Sequence, residues 1–248
     1  MTRLEQHRLS FGAAAQTYAG ARPTYPLEAL DWALDSVPGK APLRVVDLAA
    51  GTGQLTRVVL AAGHDVVAVE PDPEMRAQLT RTTPGVDCLA GSAEAIPLAD
   101  GSADAVVVGT AFHWFDPVAA DTEIARVLRP GGVLAPMWNN RDLSLDWTRR
   151  LEEIITPARQ HLAGLDTLRP SSLFEQAEVA EFPHSVRQTA AGLLDLVQSR
   201  SWYLTAAPEE QRQILDQVRT LCATHPDLAG RDSFELPYTT VAYRLRRR

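Results

Sequence analysis

The 248-residue sequence is short of several things that would direct it to particular partners. It holds two cysteines, Cys88 and Cys222, far apart and outside any C-x-x-C. That spacing offers neither a disulfide framework nor a thiolate metal site, and it fits a reducing, cytoplasmic compartment. The six histidines show no H-x-x-x-H or H-E-x-x-H spacing, so no metal site is expected. Positive charge is also scarce: 24 Lys and Arg against 31 Asp and Glu give a net charge of -7. No chain-wide field is left to hold nucleic acid or an anionic membrane. The arginines at 244, 246, 247 and 248 read as a solvated end. No apolar run approaches the ~20 residues needed to cross a bilayer, and the opening MTRLEQHRLSFGAAAQTYAG lacks the apolar centre of a signal peptide. What is plentiful is hydrophobic residues, 45% of the total, enough for a sizeable core.

Those residues are arranged with a clear rhythm. Short apolar, β-branched runs (LRVVDL, DVVAVE, VDCLA, ADAVVV, VLAPMW) recur between Leu43 and Trp138. Helix-length segments or turns separate them, the pattern of βα units wound into a parallel sheet buried on both faces. Residues 54–62 carry Leu55, Val58, Val59 and Ala62 at helical spacing, with Gly63 placed as a left-handed cap. Arg129-Pro130-Gly131-Gly132 is expected to end a helix over 119–128 and turn the chain into the next strand. From Arg141 to about Pro170 the alternation stops, and an amphipathic stretch at 147–155 signals a helical insertion. Further strands are expected at 178–182 and 238–245, and helices at 190–203 and 208–222. The reading is a single domain: cap helices over 1–40, a ligand-binding core over 41–140, an insertion with a further strand and covering helices over 141–230, and a final strand over 231–248.

Open parallel sheets bind ligands beyond the carboxyl ends of their strands. The first strand ends in Asp47, followed by Ala49-Ala50-Gly51-Thr52-Gly53, small residues that let a ligand touch the backbone at a helix start. The second ends in Glu70, about 20 residues later, suited to accept hydrogen bonds from the two ribose hydroxyls of a nucleoside. The dinucleotide fingerprint G-x-G-x-x-G fails, because Thr56 stands where the third glycine belongs, and no lysine follows Gly53 as a phosphate loop requires. This counts against a nicotinamide-dependent oxidoreductase.

From Tyr18 to Trp138 the sequence resembles the class I methyltransferases that use S-adenosylmethionine. VVDLAAGTG is similar to that family's first-strand turn, with Ala49 at its first glycine. Glu70 matches its second-strand acid, and Ser92-Ala93-Glu94-Ala95-Ile96-Pro97 its third-strand loop, with serine in place of an acid. LRPGG resembles the entry to its fifth strand. Phe11, Tyr18, Arg22-Pro23, Tyr25-Pro26 and Phe112-His113-Trp114-Phe115-Asp116 resemble the small-molecule branch that includes trans-aconitate and ubiquinone or menaquinone methyltransferases.

The resemblance implies a Rossmann-like, seven-stranded, mostly parallel sheet flanked by helices, with the last strand antiparallel. It implies S-adenosylmethionine as cofactor, S-adenosylhomocysteine as product, and a small organic acceptor methylated at oxygen, nitrogen or carbon; a non-catalytic cofactor-binding relative is the alternative. The cofactor residues would be Tyr18, Arg22, Asp47, Ala49, Gly51, Gly53, Glu70, Pro71, Met75, Ser92, Ala93, Glu94 and Thr110, with Arg22 pairing the cofactor's carboxylate. His113, with an ordinary pKa of about 6.5, is the candidate base, and it has a second reading as a pocket-shaping residue. Trp114, Trp138, Asn139, Arg141, Trp202 and Tyr203 are candidates for the acceptor side. Arg141 would hold an acceptor carboxylate or else form an ion pair.

Overall fold

A computed structural model describes residues 22–39, 41–155 and 171–248. The Val- and Ala-rich runs form β1 (Arg44–Leu48), β2 (Asp65–Glu70), β3 (Asp87–Ala90) and β4 (Ala103–Gly109). β5 (Leu128–Arg141), β6 (Glu178–Gln188) and β7 (Phe234–Arg246) complete one sheet in the order β3-β2-β1-β4-β5-β7-β6. β7 runs antiparallel to both neighbours, while β1 to β5 pair in parallel. The sheet is therefore the expected one, and its strand order reverses between β1 and β4.

Helices cover both faces of this sheet. α1 (Leu27–Leu34), α2 (Gln54–Ala61), α3 (Pro73–Thr82), α4 (Pro117–Val127) and α5 (Asp146–Ile155) precede β6. α6 (Ala190–Gln198), α7 (Ser201–Thr205) and α8 (Pro208–Thr224) lie between β6 and β7. The starts of α3 and α4 follow from an Asp-Pro pair: Asp72 accepts from the amides of Glu74 and Met75, Asp116 from those of Val118 and Ala119, and the proline takes a position that needs no donor. One apolar layer packs Val46, Val106 and Trp138 against α4, and the other packs Val45, Val107 and Met137 against α1 and α2. A third cluster, with Trp147, Leu151, Leu196, Val218 and Phe234, holds α5, α6 and α8 together.

Four expectations need correction. The RPGG segment is not a turn ahead of β5 but a break in register within it: Ala103 pairs with Leu128 and Ala105 with Val133, so β5 spends five residues while β4 advances two. β6 runs on to Gln188 and β7 begins at Phe234, each longer than the apolar pattern indicates, because the two strands pair along their whole length. The helix expected over 190–203 is two helices: α6 closes at Ser199, and Arg200 is extended, with φ -83° and ψ 137°. Finally, the C-terminal arginines are not a solvated end. Arg244 lies over the ring of Trp32 at 4.5 Å and binds the Trp32 carbonyl and Glu178, Arg247 binds the Leu128 carbonyl, and Arg248 binds the Phe174 carbonyl. Of the cap helices expected over 1–40, α1 lies within the described residues.

Candidate active site

A cleft opens at the reversal point of the sheet, where the carboxyl ends of β1, β4 and β5 meet. It is open at its mouth, and the space between its walls, open solvent included, is about 620 Å3. Its floor is the turn after β1. Ala49, Gly51 and Gly53 all take left-handed backbone angles, with φ of 57°, 57° and 84°. Gly53 caps α2, and a Cβ on it would stand 3.0 Å from the Leu79 side chain. The amides of Ala50, Gly51 and Gly53 are engaged within the protein, by the Val69 carbonyl, the Glu70 carboxylate and the Ala50 carbonyl, which fixes the turn at the start of α2.

Two buried carboxyl groups brace this turn. Glu70 accepts from the Gly51 amide at 2.8 Å and from the Asp72 amide at 2.9 Å, tying the first turn to the end of β2. Burial raises its pKa, although both amides oppose the rise. Asp47, 1% exposed, accepts a 2.5 Å bond from the Thr56 hydroxyl through Oδ2, while its Oδ1 is buried with no partner among the described residues. Burial, assisted by the charge of Glu70, pushes its carboxyl up to about 7.

The remaining walls come from farther along the chain. Tyr25 donates to or accepts from the Thr110 hydroxyl at 2.8 Å, and its phenol end lies against Gly109, where a Cβ would stand 2.7 Å from the phenol oxygen. Thr110 is itself held in a left-handed conformation, φ 54°. The irregular segment leading into α1 is laced over the cleft: Asn139 donates to the Thr24 carbonyl at 3.0 Å, Gln54 to the Arg22 carbonyl at 3.3 Å, and Arg22 to the Ser199 carbonyl at 3.1 Å. Arg200, extended between α6 and α7, closes the far side. No local pattern marks it as a site residue in the sequence.

Of the expected site residues, Arg22, Asp47, Ala49, Gly51, Thr110 and Asn139 line this cleft. Gly53 and Glu70 stand directly behind it in the turn. Tyr18 lies outside the described residues. Pro71 is exposed and its carbonyl accepts from Arg76; Met75 is buried on α3; Ala93 packs in the core; Ser92 forms a small turn with Ala95; and Glu94 accepts from the Asp116 amide at 3.0 Å.

His113 sits in a 3-10 turn, Phe112–Trp114, three residues past Thr110, with its ring 4.7 Å from that of Trp114. Its Nδ1 is buried without a partner among the described residues, and burial lowers its pKa, so the ring is neutral at neutral pH.

Four acceptor-side candidates do not line this cleft, and one of them, Arg141, forms the ion pair that is its second reading. Trp138 is a core residue, 2% exposed and packed edge-on against Phe112 and Tyr243, since its strand position turns it into the apolar layer. Trp202 and Tyr203 pack on the third apolar cluster, not on the cleft. Arg141 is held by Glu152, Nε to Oε2 at 2.6 Å, with its side chain 9% exposed.

Among the described residues no cluster of His, Cys, Asp or Glu is arranged to hold a metal, and no helix is long and apolar enough to cross a membrane.

A glycine turn braced by the second strand's acid, at the reversal point of a 3-2-1-4-5-7-6 sheet, defines a Rossmann-like nucleoside-binding enzyme class. Comparison with known proteins makes the class specific. The methyltransferase domain family matches residues 46–135. An uncharacterized methyltransferase of Mycobacterium tuberculosis is 46% identical over 236 residues, covering 95% of each chain. A demethylmenaquinone methyltransferase of Renibacterium salmoninarum is 41% identical over 103 residues, 41% of this chain and 42% of that one. The solved structure of a proposed type II methyltransferase from Anaeromyxobacter dehalogenans shares the fold, with a TM-score of 0.65 at 24% identity over 91% of this chain and 97% of that one. The chain belongs to the class I methyltransferases, enzymes that take their methyl group from S-adenosylmethionine.

Proposed function

We propose that this methyltransferase acts on a small organic acceptor, in the cytoplasm, with residues 41–140 binding the donor and residues 141–230 shaping the acceptor side. The carrying observation is one cleft lined by residues 49–52 of the turn, the unpartnered Asp47 Oδ1 and Arg22. That set fits the donor's amino-acid end: Asp47 suits its ammonium and Arg22 its carboxylate. In this reading Gly51, Gly53 and Glu70 receive the ribose, Met75 and Pro71 flank it, and the loop of Ser92, Ala93 and Glu94 meets the adenine.

S-adenosylmethionine supplies an already activated methyl group on a sulfonium. The chain's share of the work is then to align the acceptor and exclude water, which contributes up to ~7–11 kcal/mol in favourable cases. Tyr25 on Gly109, and the laced segment from Arg22 to Thr24, hold the cleft's cover in place. His113, neutral because it is buried, is the residue to take a proton from an acceptor that still carries one, with Trp114 as the wall beside it.

Calorimetry with S-adenosylhomocysteine tests the reading, the expected result being one site per chain that methylthioadenosine fills more weakly. A folded sample that gives no heat at high protein concentration overturns it.

A further inference from the structure

The wall of the cleft facing the glycine turn carries a charge for which the donor has no evident need. Arg200 lines the cleft, and the Nε of its guanidinium is buried with no hydrogen-bond partner among the described residues. No carboxylate among those residues lies within ion-pair distance of it. Glu152, the carboxylate that acts on it most, is already engaged by Arg141. The hydroxyl of Tyr238, which pairs with Arg141 across β5 and β7, is also buried without a partner among the described residues.

Burial, followed by the like charges of Arg22 and Arg141, holds the Arg200 guanidinium well below the usual arginine range. Arginine does not release its proton in proteins, so this is a cost carried by the fold, and an anion would offset it.

We propose that Arg200 holds a carboxylate of the methyl acceptor, and that the acceptor is therefore a small organic acid anion. The proposal rests on the donor reading above. The donor's methionine end brings a sulfonium and an ammonium against one carboxylate, a net positive charge. A neutral acceptor would leave that charge and Arg200 facing each other across one cleft, in surroundings of low dielectric. An acid anion offsets both, and the guanidinium fork matches a carboxylate with two parallel hydrogen bonds. Arg141, read from the sequence as holding an acid or forming an ion pair, forms the ion pair and occupies Glu152. Asn139, whose amide oxygen accepts from Thr240, lines the cleft between the two walls and limits the acceptor's size.

The test is calorimetry on the protein saturated with S-adenosylhomocysteine, titrated with succinate, citrate and benzoate and, as the uncharged control, succinamide. The wild type is expected to bind at least one acid and not the amide. Arg200→Gln is expected to weaken that acid about 10- to 100-fold while S-adenosylhomocysteine binds as before, and Arg200→Lys to recover part of the loss. Unchanged acid binding in Arg200→Gln overturns the proposal, as does a wild type that binds none of the acids.

If Arg200→Gln weakens S-adenosylhomocysteine but not methylthioadenosine, which lacks the carboxylate, the residue serves the donor and the acceptor assignment falls. A wild type that binds no S-adenosylhomocysteine refutes the donor reading instead, and the acid titration on the protein alone still decides Arg200. Should Arg200→Gln fail to fold, Arg200→Lys decides alone: equal acid affinity to wild type overturns the carboxylate fork.

Discussion

The two walls of the cleft are built by opposite means. The side proposed for the donor is mostly backbone, the turn from Ala49 to Thr52, and its carboxyl groups are Asp47 in the cleft and Glu70 behind the turn. The side proposed for the acceptor is side chain, Asn139 from β5 and Arg200 from the break between α6 and α7, and its charge is an arginine that acts alongside the nearby Arg141–Glu152 pair. A backbone turn serves a ligand common to a whole family, because it tolerates variation in every residue that does not need a special φ. A wall of side chains can be rewritten one residue at a time, and it is where members of such a family would diverge in acceptor. The negative side and the positive side each pay a desolvation cost, but the acceptor side settles most of its own internally, through the Arg141–Glu152 pair.

Breaking that pair is the largest effect to expect. Glu152→Gln leaves the Arg141 guanidinium, 9% exposed, without its carboxylate and beside Arg200. Removing one partner of a buried ion pair costs about 3–5 kcal/mol, and the 24% exposure of the Glu152 side chain puts this pair at the lower end of that range. Urea unfolding should show that loss, and the double variant Arg141→Met with Glu152→Gln should recover most of it. A Glu152→Gln protein as stable as wild type would mean that the acceptor wall is not held by this pair.

The donor wall should respond in the reverse direction. Asp47 titrates in the folded protein at about 7, above the ordinary aspartate value of 3.8. Between those values the unfolded chain gives up a proton that the native carboxyl keeps, so the wild type loses stability as pH rises through that window and gains none back above it. Asp47→Asn keeps an acceptor for Thr56 and carries no charge. It is expected to stabilise the fold by about 2–4 kcal/mol near pH 8, with more than half of the gain gone by about pH 5. The same variant should bind S-adenosylhomocysteine more weakly, because the ammonium loses its carboxylate. A variant that gains stability and keeps full affinity would remove Asp47 from the donor site.

The contrast between the walls also explains what could be read in advance. The sheet was legible because buried parallel strands are continuously apolar, and the turn because Gly51, Gly53, Asp47 and Glu70 stand at fixed offsets. Arg200 was not, because the helix breaks at Ser199 with neither proline nor glycine there; the Ser199 hydroxyl bonds back to the Leu196 carbonyl and the chain simply extends. Trp138 was misassigned for a related reason. A strand end brings two faces to the same place, and Trp138 turns to the apolar layer while the next residue, Asn139, meets the cleft. Residues 178–188 were read short because their outer half, Pro183 to Gln188, is mostly polar on an edge strand, where pairing with β7 rather than burial keeps it extended.

The smallest effect isolates the conformational strain of the donor turn from its chemistry. Ala49 occupies φ 57°, where a Cβ crowds the following carbonyl at about 1–2 kcal/mol. Glycine removes that strain but frees the unfolded chain by about 0.5–1 kcal/mol. Ala49→Gly is therefore expected to stabilise the protein by about 0.5–1 kcal/mol and to leave S-adenosylhomocysteine affinity within about twofold, since the turn already holds the left-handed conformation that glycine favours. A large gain in affinity with no gain in stability would indicate that the alanine holds the turn away from its binding geometry. In that case the donor wall too is tuned by side chains, and the division between a fixed wall and a variable one gives way.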